Sequence, residues 1–154
     1  MIRPCVVTNC TFNGATNSYD DDIARGGAIY LAFYGENQVT VFENCIFSNN
    51  KVQKGGDVGS TSSGGGAIAI EFYANNCSVK FKDCNFINNY SNTGLASHIW
   101  AAANWTTGCY TGCGILFSGS NNSMTGPTLS DSIPGKTLYK DEAIYINGPT
   151  LGYY

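Results

Sequence analysis

Residues 26–50 read GGAIYLAFYGENQVTVFENCIFSNN, and residues 65–89 read GGAIAIEFYANNCSVKFKDCNFINN. The two stretches align without a gap, Gly26 on Gly65 through to Asn50 on Asn89, and 12 of the 25 paired positions are identical. A repeat of this length is one supersecondary unit stacked on copies of itself. Within each copy the apolar residues alternate. Ile29, Leu31 and Phe33 fall on one side and Ala28, Tyr30 and Ala32 on the other. Cys45 and Phe47 likewise share a side opposite Ile46. Period 2 is the signature of a strand. The Gly-Gly pair before one strand and the Asn-Asn pair after another are turn punctuation.

Each unit holds two apolar anchors, and the step from Ile29 to Phe47 equals the step from Ile68 to Phe86. This spacing suggests one strand per rung. The expected architecture is all-β: a single right-handed parallel β-helix of about eight rungs, about 38 Å long at the usual strand separation. Its anchors are Phe12, Ile29, Phe47, Ile68, Phe86, Ile99, Phe117 and Ile144, with phenylalanine and isoleucine on alternate rungs. Asn49, Asn50, Asn88 and Asn89 are expected to stack at one corner and share amide hydrogen bonds. A propeller would need four strands per blade with their own dipeptides, and a leucine-rich repeat would need a leucine ladder.

Outward from the repeat, residues 5–13 match the second half of a unit. Cys10 and Phe12 stand for Cys45 and Phe47, Val7 stands for Phe42, and Ala15 replaces Asn50. Residues 14–25 read as a polar connector carrying Asp20, Asp21 and Asp22. Residues 51–64, KVQKGGDVGSTSSG, read as a flexible loop. A third unit is degraded, with His98-Ile99-Trp100 in place of Ala-Ile-x. The division expected is repeats over 1–117, a Ser/Gly/Pro-rich loop over 118–138 and a last strand over 139–154. No run reaches transmembrane length, and no signal peptide leads the chain. A removed leader or an excised piece of a longer chain is the expectation.

The GGAI and FxxN tags, at residues 26–29, 65–68, 47–50 and 86–89, resemble the repeats of the polymorphic outer-membrane proteins of chlamydiae. That resemblance implies a right-handed β-helical passenger domain with an adhesin-like role. It covers about a third of the chain.

Only 12% of residues are charged, and the net charge is -3. No Lys/Arg cluster marks a nucleic-acid surface. Asn-x-Ser/Thr triplets make Asn9, Asn76, Asn89, Asn104 and Asn121 candidate N-glycosylation sites. Asn76, Asn104 and Asn121 fall in expected turns, and Asn89 falls in the asparagine ladder. Seven cysteines favour an oxidising compartment. Cys10, Cys45 and Cys84 form one column. At two rungs apart, about 9–10 Å, they are too distant to pair. Cys109 and Cys113 are close enough in sequence to bridge a loop.

No metal or catalytic site stands out. One histidine and a single Cys-x-x-x-Cys do not make a zinc site. Adjacent carboxylates at Asp20 to Asp22 point in different directions. Glycoside hydrolysis needs two acids across a cleft, and the acids do not recur in one column. His98 is expected to be a satisfied buried or edge histidine rather than a catalytic one, and Gly64-Gly65-Gly66 lacks the residues of a phosphate loop. Tyr19, Trp100, Trp105, Tyr110, Tyr139, Tyr153 and Tyr154 are the aromatic residues available for a sugar- or protein-binding surface.

The expectation is an extracellular structural protein without cofactor or enzymatic site. It would bind itself head to tail into a fibre or surface layer, through Val6, Val7 and Phe12 at one end and Ile144 and Ile146 at the other. An adhesin-like passenger is the alternative, and an enzyme acting on polysaccharide is a distant third.

Overall fold

A computed structural model of the chain describes residues 3–19, 24–54, 64–92, 96–105, 108–126 and 143–153. A partial coil comes first, with β1 (Cys5–Thr8), β2 (Thr11–Asn13) and β3 (Thr16–Tyr19). The first full coil is β4 (Ile29–Phe33), β5 (Val39–Glu43), β6 (Ile46–Ser48) and β7 (Lys51–Lys54). The second is β8 (Ile68–Phe72), β9 (Ser78–Lys82), β10 (Asn85–Ile87) and β11 (Tyr90–Ser91). The third holds β12 (Ile99–Ala102), a short hairpin of β13 (Asn104–Trp105) and β14 (Gly108–Cys109), then β15 (Gly114–Ser118) and β16 (Ser123–Thr125). A fourth begins with β17 (Ile144–Asn147) and β18 (Thr150–Tyr153).

Like strands of successive coils pair in parallel. The sheets run β1-β5-β9-β15-β18, β16-β10-β6-β2, β11-β7-β3 and β17-β12-β8-β4. The molecule is a parallel β-solenoid of about three turns. Ile29 pairs with Ile68, Phe42 with Phe81 and Phe47 with Phe86, the same pairs that the sequence repeat aligns, and Lys51 pairs with Tyr90 one position beyond it. The sequence repeat is therefore one whole coil with four strands.

This corrects the eight-rung expectation. Ile29 and Phe47 lie on different sheets of one coil, so the step between them crosses from face to face and not from rung to rung. The five-stranded sheet spans roughly 19 Å along the axis, about half the expected length. Residues 51–54 are strand β7, and residues 16–19 are strand β3. Both look like connector in the sequence because, among the described side chains, this narrow sheet carries a single buried apolar one, Val52, in the column Asn17–Val52–Ser91. Residues 55–63 and Asp20 to Asp22 lie outside the described residues.

The interior is a set of side-chain columns. Phe12, Phe47 and Phe86 stack with ring centroids 4.9 and 4.8 Å apart. Met124, not Phe117, continues that column in the third coil. Phe117 belongs beside Phe81, in the column Val7–Phe42–Phe81–Phe117–Tyr153. The two phenylalanine columns meet edge to face, as in the Phe42–Phe47 and Phe81–Phe86 pairs, the geometry aromatic quadrupoles favour.

Corners are built by residues with positive φ. Asn9, Asn44 and Asp83 turn the chain at φ 55°, 53° and 52°, and a cysteine follows each: Cys10, Cys45 and Cys84. Asn76 and Gly112 do the same before Cys77 and Cys113. Asn and Asp tolerate this region better than other non-glycine residues. Each following thiol donates to the carbonyl two positions back, as Cys45 does to Glu43 at 3.4 Å and Cys77 to Asn75 at 3.4 Å. Four of the five also reach a carbonyl of the preceding coil, as Cys84 does to Phe42 at 3.4 Å. The cysteine column was expected to be spaced by two rungs. Its members occupy adjacent coils, since Asn85 donates to the Cys45 carbonyl and Ile46 to that of Cys10. Spacing therefore does not keep these thiols apart. The seven cysteines are free.

The Asn-Asn corner divides its labour. Asn49 and Asn88 take positive φ and are exposed. Asn50 and Asn89 are wholly buried. Asn50 Oδ1 accepts from Ala15 N, and its Nδ2 donates to the Phe12 carbonyl and to Asn89 Oδ1. Asn89 Oδ1 also accepts from Asn50 N, and its Nδ2 donates to the Phe47 carbonyl.

Candidate assembly and binding surfaces

The uncovered edge of the partial coil is the first candidate. Among the described residues β1, β2, β3 and β4 each have a partner on one side only. Val7 and Phe12 turn inward yet are only partly buried. Phe12 stacks on Phe47 with one ring face, and among the described aromatic rings none stacks on the other. At the same end a cavity of about 260 Å³ opens between β1, β4 and β5, lined by Arg3, Cys5, Leu31, Phe33 and Thr40. In an inner coil the same space is filled by side chains of the neighbouring coil. Val6 points the other way. It is outward on the sheet, 55% exposed, in the column Val6–Val41–Lys80, so it belongs to a lateral surface and not to the end.

At the opposite end, β16, β17 and β18 have unpaired edges among the described residues. Ile146 and Leu151 are partly buried there. Ile144, expected at this end face, is completely buried. A charge at Ile144 would break the core rather than block an interface.

The outer side of the β4-β8-β12-β17 sheet is the second candidate. Tyr30, Ala69, Trp100 and Tyr145 form one outward column, and Ala32, Glu71, Ala102 and Asn147 form the next. Much of this outside is buried: Ala69, Trp100, Ala102 and Glu71 are at most 2% exposed. Small alanines around Glu71 leave room for its partners. Arg25 forms an ion pair with it, and its guanidinium also sits 4.4 Å from the Trp100 ring centre. The Tyr30 and Tyr73 hydroxyls both donate to Glu71 Oε2, the latter at 2.8 Å. Burial, ahead of any neighbouring charge, raises the pKa of both tyrosines. A carboxylate can be buried only where donors replace its water, and the guanidinium and two hydroxyls do so here. Tyr34 stacks on Tyr73 at 5.0 Å and is 75% exposed, and Tyr30 is half exposed.

Sequence reading does not single out this patch. It places Trp100 among the exposed aromatic residues, whereas the side chain is 2% exposed under Arg25. Tyr30 and Tyr34 carry the exposure instead. The signal is present in the outward positions of the repeat, where Tyr34 and Tyr73 recur. Tyr110 is partly buried against Tyr73, and Tyr153 is 38% exposed. Tyr139 and Tyr154 lie outside the described residues, and of the Tyr19 and Trp105 side chains nothing is described.

The modification candidates separate by position. Asn9 and Asn76 are exposed corner residues, and Asn121 is exposed beside Asp83, whose Oδ1 accepts its backbone N–H at 3.0 Å. Two of the triplets are thus corner chemistry: a positive-φ asparagine, an inward cysteine, then a hydroxyl residue opening the next strand. Asn89 is buried with both side-chain atoms bonded, which removes it as an acceptor. Asn104 opens β13, and nothing is described of its side chain. Cys109 is an exposed thiol on β14. Cys113 is buried with its Sγ donating inward to the Ala74 carbonyl at 3.3 Å, so the two are not bridged. Burial pushes the Cys84 thiol up to about 12. Among the described residues no group of three His, Cys, Asp or Glu side chains is placed to hold a metal ion.

His98 lies inside the solenoid, fully buried against Phe86, with Nδ1 3.0 Å from Asn89 Nδ2. Burial lowers its pKa to about 4.

The class defined by these observations is the parallel β-solenoid whose coil is the sequence repeat itself. No protein-family model matches the chain, and neither does any curated protein or solved structure.

Proposed function

We propose that this protein is an extracellular structural protomer, a right-handed β-helix that adds copies of itself along its axis. One observation carries the reading: among the described residues the strands of the first coil are paired on one side only. Its inward columns at Val7 and Phe12 and its adjoining cavity have the form that inner coils fill with the next coil's side chains. Exposed strand edges invite further strands, and solenoid stability is a sum of neighbour contacts. The far edge supplies matching columns. Leu151 would meet Cys5 and Tyr153 would meet Val7, with β18 set against β1 of the next copy. A head-to-tail contact of this kind does not close on itself and gives linear assemblies.

Light scattering and electron microscopy of the secreted chain test it. Linear particles in multiples of the chain mass are expected, and Val7→Lys or Leu151→Lys should leave monomers with unchanged circular dichroism. A monodisperse monomer at high protein concentration refutes the reading.

A second reading is an adhesin-like passenger akin to the chlamydial repeats. The exposed Tyr30 and Tyr34, anchored at Glu71 and stacked on Tyr73, support it. Tyrosine surfaces give large rigid contacts at small entropic cost. Beads coated with the chain should bind cells, and a Tyr30→Ser, Tyr34→Ser double variant should not. Equal binding by both proteins rules the tyrosine patch out. In either setting Asn9, Asn76 and Asn121 are the sites proposed to carry N-glycans, read by intact mass.

A further inference from the structure

The asparagine ladder fixes the state of His98. Asn89 Oδ1 accepts from the Asn50 backbone N–H, which can only donate, so the Asn89 amide cannot flip. Its Nδ2 therefore faces Phe47 O and His98 Nδ1 and gives one hydrogen to each. His98 Nδ1 must be an acceptor. The neutral ring then carries its proton on Nε2, against the Gly126 backbone, where an added Cβ would lie 3.6 Å away. Nε2 has no hydrogen-bond partner in this buried position.

The surroundings offer nothing to a second proton. Phe86 from β10, Asn89 from the corner after it, Gly126 beyond β16, and Ala67 and Ala143 in the aligned positions of neighbouring coils include no titratable group among the described residues. A proton on Nδ1 would point at the Asn89 amide donors. His98 is also the joint between coils. Its carbonyl accepts from Ala67 and Ile68, and its N–H donates to Ala143.

We infer that His98 is an acid-sensitive latch: protonation of its ring breaks the contact with Asn89 and opens β12 of the third coil together with β17 of the fourth, while the first two coils stay closed. Linkage gives the direction. The folded ring titrates near 4, below the 6.5 of an unperturbed imidazole, because burial disfavours the charge. The latch contributes fully above pH 6.5 and is lost as pH falls toward 4. The latch belongs to the single chain and is independent of axial assembly.

Amide hydrogen exchange, corrected for intrinsic rates, tests it. Between pH 7 and 5, exchange at Ile99–Ala102 and Ile144–Asn147 should rise roughly 20-fold, while Val39–Glu43 stays unchanged. In His98→Gln, whose amide oxygen accepts from Asn89 but does not titrate, the rise should vanish. The same acid response in both proteins, or none in the parent, overturns the latch. Should the variant not fold, nitrogen chemical shifts of the parent decide. The Nε2–H tautomer titrating well below 6.5 is expected, and the Nδ1–H tautomer or an unshifted midpoint refutes it.

Discussion

The first two full coils and the third obey the same plan with different materials. Between the first two, the columns repeat in kind: Phe47 on Phe86, Phe42 on Phe81, Cys45 on Cys84, Asn50 on Asn89. In the third, Met124 takes the phenylalanine place, Asn122 the cysteine place and His98 the alanine place. Asn122 keeps the corner intact, since its Oδ1 accepts from Cys84 N at 2.9 Å, and its amide donates to the Ser118 carbonyl. The step along the chain from Ile68 to its partner Ile99 is also shorter than that from Ile29 to Ile68, because the connector between the β11 and β12 corners is shorter. The comparison teaches that a solenoid tolerates exchange of column chemistry so long as inward positions stay filled and corner donors stay satisfied. A polar group with its own titration can then enter the core once, in a coil that does not have to match the others.

The sharpest break comes from the shared phenylalanine column. Phe86→Ala should cost about 3–5 kcal/mol, and more than Met124→Ala, because Phe86 is the larger side chain and the Phe47 ring on one face and the Phe81 ring at its edge cannot collapse into the space. Equal costs by urea denaturation would mean that the second and third coils pack alike. The next effect separates the two ladder amides. Asn89→Ala strands donors and acceptors in the sealed interior and should cost about 3 kcal/mol, whereas Asn50→Ala should cost less because Ala15 and Phe12 are near the open end. A larger loss at Asn50 would show that the first coil is covered in solution.

Acid should act on the third coil alone. From pH 7 to 5 the free energy of opening β12 should fall by about 2 kcal/mol, since the folded His98 titrates below its unfolded value and the opened coil takes the proton first. His98→Gln should show a correspondingly flatter profile. The smallest effect tests the corners. Asn44→Ala should cost about 1 kcal/mol for placing a β-carbon at positive φ, and Asn44→Gly should be close to neutral. Matched melting temperatures for the two variants would mean that the corner residue relaxes out of the left-handed region.

Much of the inside of this fold is legible in the sequence. Ile29, Leu31 and Phe33 inward, Val7 in the place of Phe42, Ala15 in the place of Asn50 and Ile144 in the place of Ile29 all stand where the repeat puts them. The turn of the solenoid is not, because two apolar anchors per unit look the same whether they lie on successive rungs or on two faces of one rung. Periodicity along the chain carries strand character and repeat length, but not the number of corners between repeats. Strands β3 and β7 escape notice for a related reason. With one valine between them, their stability comes from backbone pairing across coils, which leaves little hydrophobic pattern.

By itself, the sequence determined a parallel β-solenoid built on the repeat that sets Gly26 on Gly65, the inward positions within that repeat and the corner that holds Asn50 and Asn89. These follow from local alternation and from identity between stacked copies, both properties of the chain. Only the tertiary structure decided that the unit is a four-sided coil, that Glu71 gathers Arg25, Tyr30 and Tyr73 on the outside, and that His98 meets Asn89 within the core. Those contacts join residues at unrelated spacings along the chain, with no shared periodicity. They exist only once the coils are laid one on another and the register fixes which side chains face each other.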